Sequence, residues 1–270
     1  MLVTPPTVAN AAAATRMFDW NAQGGGKGTD HLNMSLKPSI EARGAYYPGI
    51  VTLQEVCRSQ AVSVQSYMTS KGYGYFAMYH ARFNASAETC ATGYYGNVVW
   101  VWGAAVGSQW ASDPYDVQVS YVYGAEMRGM ACIGPTPYNV WACSTHLVPQ
   151  NLLRADCQAD EAFDLMENGY NLGRRGVLGG DFNTPSSLIG GSHNCNIYPH
   201  NHPPPTVLSW AYDQYHEADQ YCCTDNQPTH SSGKIDYIFI KKGWGYYYRD
   251  LSVWTSPYSD HELLEAYLAW

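Results

Sequence analysis

The sequence predicts an α/β fold built as one unit, and three observations carry that prediction. Short apolar runs rich in β-branched and aromatic residues outnumber helical patterns. The helical patterns fall between groups of strands rather than at one end. No Pro/Gly/Ser-rich linker and no internal repeat divides the 270 residues, so one domain over 15–270 is expected, behind a flexible segment 1–14.

Residues 1–14 are Pro- and Ala-rich and uncharged, without the basic start and long apolar stretch of a signal peptide. Thr15–Asn21 reads as a first strand with a polar end. Gln23-Gly24-Gly25-Gly26-Lys27-Gly28 lacks the G-x-x-x-x-G-K-[ST] spacing of a phosphate loop and reads as a flexible loop. A helix is predicted over 31–46, a buried strand over 49–56 carrying Glu55, and a helix over 58–71. Strands follow at 73–80, 98–102, 117–122, 127–133 and 138–144, the last running into Thr145-His146-Leu147. Residues 150–168 are periodic as a helix, with Gly169 as its stop. Val177-Leu178 leads into Gly179-Gly180-Asp181-Phe182-Asn183, a strand opening into a loop. Alternation puts Asp181 and Asn183 on one side and Phe182 on the other, toward the core. The two glycines allow a close approach to the backbone. Taken alone, the five residues also fit an Asx turn. A helix over 207–217, strands at 234–240 and 251–255, and a short apolar tail complete the chain.

Composition narrows the function. With 15 basic against 23 acidic residues, the net charge of −8 excludes a broad basic face for a polyanion, although a bound metal ion supplies positive charge locally. The 23 Tyr and 9 Trp offer stacking area for bases or sugars. Eight cysteines without a C-x-x-C pair argue against a zinc ribbon and for disulfides in an exported protein. Cys132 and Cys143 flank a Gly-Pro-rich turn that would pair them in a hairpin, and Cys195 is expected to meet Cys222 or Cys223. No run approaches the roughly 18 apolar residues that span a bilayer, so no stable membrane anchor is expected.

The polar residues at strand ends are Asn21, Glu55, His146, Asp181, Asn183, Asp236, Asp260 and His261. A carboxylate or imidazole beside a buried strand is costly unless paired or functional. So many of them point to one mouth at one edge of the sheets. Four acids and two asparagines suit a hard divalent cation, Mg²⁺ or else Mn²⁺ or Ca²⁺. The two histidines supply acid–base capacity near neutral pH. No G-x-S-x-G nucleophile is present. The set points to metal-assisted attack of water on a phosphate ester.

Trp20-Asn21, Gln54-Glu55, Ser144-Thr145-His146-Leu147, Gly180-Asp181-Phe182-Asn183, Ile235-Asp236-Tyr237-Ile238-Phe239 and Ser259-Asp260-His261 occur in an order that resembles the endonuclease/exonuclease/phosphatase superfamily, the deoxyribonuclease I-like fold. Tyr95-Gly96-Asn97-Val98-Val99 and Glu126-Met127-Arg128-Gly129 are similar to two further strands of that family, so the resemblance covers roughly 17–261. It implies a four-layer sandwich of two packed mixed β-sheets flanked by helices, and a Mg²⁺-dependent phosphoesterase. Glu55 is then a metal ligand with Asn21 and Asp260 close by. Asp181 orients water, Asn183 donates to a phosphate oxygen, and Asn97 and Arg128 lie on the substrate side, Arg128 equally placed to pair with Glu126. Asp236 and His261 form a carboxylate–imidazole pair. His146 stabilises the transition state or protonates the leaving oxygen; which histidine is acid and which is base stays open. The expected substrate is nucleic acid, cleaved by a secreted monomer. Lipid phosphodiesterase (sphingomyelinase-like), phosphomonoesterase and DNase-like toxin subunit are the alternatives. Arg58, Arg82, Lys27 and the tyrosines of 73–79 are the candidates for a nucleic-acid rim.

Overall fold

The computed structural model describes residues 15–44, 46–82, 90, 94–105, 107–112, 114–115, 127–134, 139–149, 151–171, 175–184, 215–218, 227–241 and 247–269. The elements are β1 (Thr15–Asn21), α1 (His31–Met34), α2 (Leu36–Glu41), β2 (Ile50–Cys57), α3 (Arg58–Ser70), β3 (Ala77–Arg82), β4 (Tyr95–Val101), β5 (Gln109–Ala111), β6 (Met130–Ile133), β7 (Val140–His146), α4 (Leu152–Asn171), β8 (Arg175–Asp181), β9 (Tyr215–Glu217), β10 (Asp236–Lys241), β11 (Tyr247–Trp254) and β12 (Leu263–Ala269). They form two six-stranded mixed sheets, ordered β11-β12-β1-β2-β4-β3 and β5-β6-β7-β8-β10-β9.

Three apolar clusters show how the layers stack. Strand alternation sends Met17, Ile50, Val99 and Val101 inward to meet Ala131, Ile133, Ala142, Val177 and Ile238 of the second sheet. Their neighbours Phe18, Trp20, Val51, Leu53, Val98 and Trp100 face outward, onto Leu32, Leu36 and Ile40 of α1 and α2 and Ala61, Val64 and Met68 of α3. On the far side, Cys143, Leu178, Tyr237 and Phe239 pack on Ala155, Ala159, Ala162, Phe163 and Met166 of α4. Helix, sheet, sheet, helix is the four-layer sandwich expected from the sequence.

The centre of the sheet stack is polar. Asp19 Oδ1 accepts from Thr52 and Gln54, and Gln54 Nε2 also reaches Ser144 Oγ across the sheets at 3.0 Å. Burial, with the nearby Asp236 charge, holds the Asp19 carboxyl well above its ordinary pKa. The glycines before Asp181 serve this approach. A Cβ on Gly179 would meet Thr52, Asp19 and Met17 of the opposing sheet, and one on Gly180 would meet the Thr145 carbonyl.

Several predicted elements differ in extent. The helix over 31–46 is two short helices, and Pro38 falls in the first turn of α2, where its missing N–H is tolerated. The strand expected from Tyr73 begins at Ala77, and that expected from Met127 begins at Met130. Gly169 lies inside α4 rather than ending it. Tyr215–Glu217, read as the end of a helix, is an edge strand paired with β10. The apolar tail is β12, an interior strand hydrogen-bonded to both β1 and β11. The strand expected at 117–122 and the pairing of Cys195 fall outside the described residues. Cys132 and Cys143 lie opposite one another on β6 and β7 and are bonded as expected, while Cys57–Cys90 is a second disulfide; Cys157 is disulfide-bonded as well.

Candidate active site

Register assembles the site. In the second sheet, β7 and β8 run parallel with His146 opposite Asp181, and β10 runs antiparallel with Asp236 opposite Asp181. His146, Asp181 and Asp236 therefore form one row across three neighbouring strands. In the first sheet β1 and β2 run parallel, with Asn21 opposite Gln54, and end at the same edge. Asn21 Nδ2 joins the two sheets, donating to Asp181 Oδ2 (2.9 Å) and to Glu55 Oε1 (3.2 Å).

Glu55 departs from strand geometry. A bulge interrupts the β2–β4 register between Leu53 and Val56, and Glu55 adopts φ +58°. A left-handed conformation costs a non-glycine residue about 1–2 kcal/mol, so the surroundings must hold it. They do so through the glycine-rich segment. The Gly24 amide donates to the Glu55 carbonyl (2.7 Å), Gln60 Nε2 donates back to the Gly24 carbonyl (2.9 Å), and Cys57, two residues on, is disulfide-bonded. The loop that resembles a phosphate cradle is thus the clamp on this bulge. The Glu55 side chain remains 26% exposed, open to an incoming ion, whereas Asp181 is buried.

The loop after β8 satisfies both sequence readings. Asp181 Oδ1 accepts from the Asn183 amide (2.8 Å) in an Asx turn, with Asn183 at φ +51°. Asn183 Nδ2 donates one N–H to the Leu147 carbonyl (3.0 Å), which leaves the other for a ligand. Phe182 points into the α4-side core against Tyr237 and Phe239.

Across the row, His261 Nδ1 bonds Asp236 (2.9 Å), and its Nε2 lies 3.7 Å from Asp181 Oδ2. His146 Nε2 lies 3.4 Å from the same oxygen and 4.0 Å from Glu55 Oε1. The two imidazoles are tuned oppositely. Burial and the Arg128 charge hold His146 well below its ordinary value, so it is neutral. Burial also opposes charge on His261, but the hydrogen bond and charge of Asp236, with Asp181 and Asp260, outweigh it and raise His261 to about 9. Burial and the Asp236 charge push Asp181 up to about 7.

The structure therefore brings together Asn21, Glu55, His146, Asp181, Asn183, Asp236 and His261, with Arg128 electrostatically beside His146. Asp260 joins through His261, whose Nε2 is 3.9 Å from Asp260 Oδ1. Asn97 is buried, and its Nδ2 donates one N–H to the Gly129 carbonyl (3.0 Å), a link between the sheets. Glu126 lies outside the described residues. His230, not a candidate from sequence, enters the cluster beside Asp260. Nothing local marks it, because it neither ends nor interrupts an apolar run.

The chemistry fits a divalent cation. The carboxylates of Asp181 and Asp236 converge within 4.8 Å, and Asp260 lies beside His230 and His261; the protonated His261 is a charged neighbour there rather than a ligand. Burial first, and then the Asp236 charge, raises Asp181, and a nearby cation would favour its ionised form. A consequence for stability follows. The folded values of Asp181 and His261 lie above their ordinary ones, so the stability they contribute is complete at low pH and lost as pH rises through about 7 and about 9. His146 acts in the opposite sense, but below its ordinary 6.5. In EDTA, the melting temperature is expected to fall between pH 6.5 and 9 as His261 loses its proton, and Asp181→Asn to remove the separate Asp181 loss, which runs from the ordinary carboxylate value of 3.8 up to about 7, in thermal unfolding scans.

Residues 20–261 match the model of the Endonuclease/Exonuclease/phosphatase family. The chain belongs to that family. Membership makes it a phosphoesterase of a family that generally uses a divalent metal. Solved structures agree in fold. The human Nocturnin catalytic domain with bound sulfate is 15% identical, with 95% of this chain and 93% of that one covered and a TM-score of 0.62. TDP2 of D. rerio, complexed with a single-strand DNA product, is 11% identical, with 96% and 100% covered and a TM-score of 0.59. The mannosyl-6-phosphatase Bt3783 of Bacteroides thetaiotaomicron is 11% identical, with 95% and 100% covered and a TM-score of 0.59. No curated protein matches the chain in sequence.

Proposed function

We propose that this chain is a secreted, Mg²⁺-dependent phosphodiesterase that hydrolyses nucleic acid. The observation that carries the reading is the row His146–Asp181–Asp236, closed by Asn21 and Glu55 from the opposing sheet and by His261. Glu55, with Asn21 and Asp260, would hold the ion, which when bound neutralises charge on the phosphate and its leaving oxygen. Asp181 orients the attacking water and takes its proton, a task suited to a carboxyl raised to about 7. Asn183 offers its remaining N–H to a phosphate oxygen. Asp236 fixes the His261 tautomer by accepting from Nδ1, so a protonated His261 presents Nε2–H to the phosphate as the charged donor. His146, kept neutral, is the second donor, with Arg128 enforcing that state.

Nucleic acid is favoured by the rim next to Glu55. Arg58 opens α3, its amide donates to the Tyr94 carbonyl (3.0 Å), and the half-exposed Tyr94 ring packs on His80 (4.8 Å between centroids). The Arg58 charge is close enough to act on His80, and a cation near an aromatic pair is suited to stacking on a base or sugar. The TDP2 relative in fold was solved with a single-strand DNA product. Secretion is supported by the disulfides; among the described residues no helix is long and apolar enough to cross a membrane.

Hydrolysis of bis(p-nitrophenyl) phosphate and of plasmid DNA is expected to vanish in EDTA and return with Mg²⁺. In a panel of DNA, RNA, sphingomyelin, inositol phosphates and nucleotides, a nucleic acid should be cleaved fastest. Full activity in EDTA overturns the metal reading, and faster cleavage of sphingomyelin or a monoester overturns the substrate reading.

A further inference from the structure

His230 is held with unusual care for a residue in a surface turn. Thr229 Oγ1 accepts from the amides of Ile235 (3.1 Å) and Asp236 (3.0 Å), and the Glu262 amide donates to the Thr229 carbonyl (2.7 Å). The turn is thereby clamped to Asp236 and to Glu262, the residue after His261. Gly233, at φ +121°, closes it by exchanging backbone hydrogen bonds with His230. His230 also forms a bridge to His261, and the two imidazole rings lie 4.7 Å apart, inclined by 34°.

The orientation of the His230 ring is set from behind. The Ser232 amide donates to Nδ1 (3.1 Å), and Ser232 Oγ lies 2.7 Å from the same nitrogen. An Nδ1 that accepts from an amide leaves the proton of the neutral ring on Nε2. That Nε2–H faces Asp260 Oδ2 at 3.6 Å. The other oxygen of Asp260 faces His261 Nε2 at 3.9 Å, so the carboxylate sits between two imidazoles. The Asp260 side chain is 51% exposed and needs such partners to keep one orientation, whereas that of His230 is 22% exposed.

We propose that His230 is a positioning residue that orients the Asp260 carboxylate for metal binding. It acts through its Nε2–H on Asp260, and the packing of its ring on His261 holds it in place to do so. Partners behind a metal ligand reduce the freedom it must lose on binding, and removing one typically weakens metal affinity by about 10–100-fold. The proposal rests on the reading of Asp260 as a metal ligand given above.

The test is direct Mn²⁺ binding, read from the electron paramagnetic resonance signal of the free ion, on the full chain and without substrate. Asp260→Ala is expected to weaken binding by about 10–100-fold and His230→Ala by about tenfold. His230→Gln, whose side-chain amide keeps an N–H facing Asp260, should recover part of the loss. In an Asp260→Ala background His230→Ala should cost nothing more, because the two act through one contact. If Asp260→Ala weakens binding but His230→Ala does not, the positioning role is wrong. An equal His230→Ala loss with and without Asp260, or no recovery in His230→Gln, also overturns it. Unchanged binding in Asp260→Ala sinks instead the ligand reading on which the proposal stands.

Discussion

Asp181→Ala is expected to lower kcat toward bis(p-nitrophenyl) phosphate by about 10³-fold or more while leaving the protein folded. A positioned general base contributes about 10²–10⁴-fold, and Asp181 also joins the cluster together. Its Oδ2 receives Asn21 Nδ2 and faces both His146 and His261, while its Oδ1 receives the Asn183 amide. Stability should move the other way. A buried carboxyl raised to about 7 beside Asp236 is destabilising once ionised, so at pH 8 in EDTA the alanine variant should melt no lower than the parent. Steady-state kinetics with saturating Mg²⁺, beside thermal unfolding, reads both. His146→Ala and His261→Ala should also lose orders of magnitude in kcat. Activity within tenfold of the parent in all three would remove the assignment.

Much of this was legible in the sequence because strands impose a period of two. Alternation placed Phe182 away from Asp181 and Asn183, and apolar runs ending in acids marked one edge of the sheets. What escaped has physical reasons. Bulges cannot be read from a pattern, so the left-handed Glu55 and its clamp by the Gly24 segment were invisible. Gly179 and Gly180 announced a close approach, but only the structure shows that the opposing sheet and the Thr145 carbonyl make it. Leu263–Ala269 read as a tail because a short, mostly apolar run at a chain end carries no sign of its long-range partners; β1 lies nearly the whole chain away. His230 was passed over because its importance depends on a bridge to His261 that is not local in sequence.

Phe182→Ala should damage stability and catalysis together, which no substitution of a purely catalytic group would do. The ring is buried among Phe163, Tyr237 and Phe239, with centroids 5.3–6.2 Å away. Truncating a buried Phe to Ala typically costs about 3–5 kcal/mol in lost burial and cavity. For a domain of this size that corresponds to a fall in melting temperature on the order of 10 °C. Phe182→Leu, which keeps most of the volume, should cost much less. The kinetic consequence follows from position. Phe182 lies between Asp181 and Asn183, and the Asn183 backbone is held left-handed, so a cavity under Phe182 loosens the groups on either side of it. Placement errors of about 1 Å can cost on the order of 10²-fold in rate. Assayed well below its melting temperature, the alanine variant should therefore show a lower kcat, and the leucine variant a kcat near the parent's. Loss of stability with kcat unchanged would mean that the pairing of β8 with β10 and the Asx turn hold the loop without the core anchor, and that the Phe182 ring contributes only to folding.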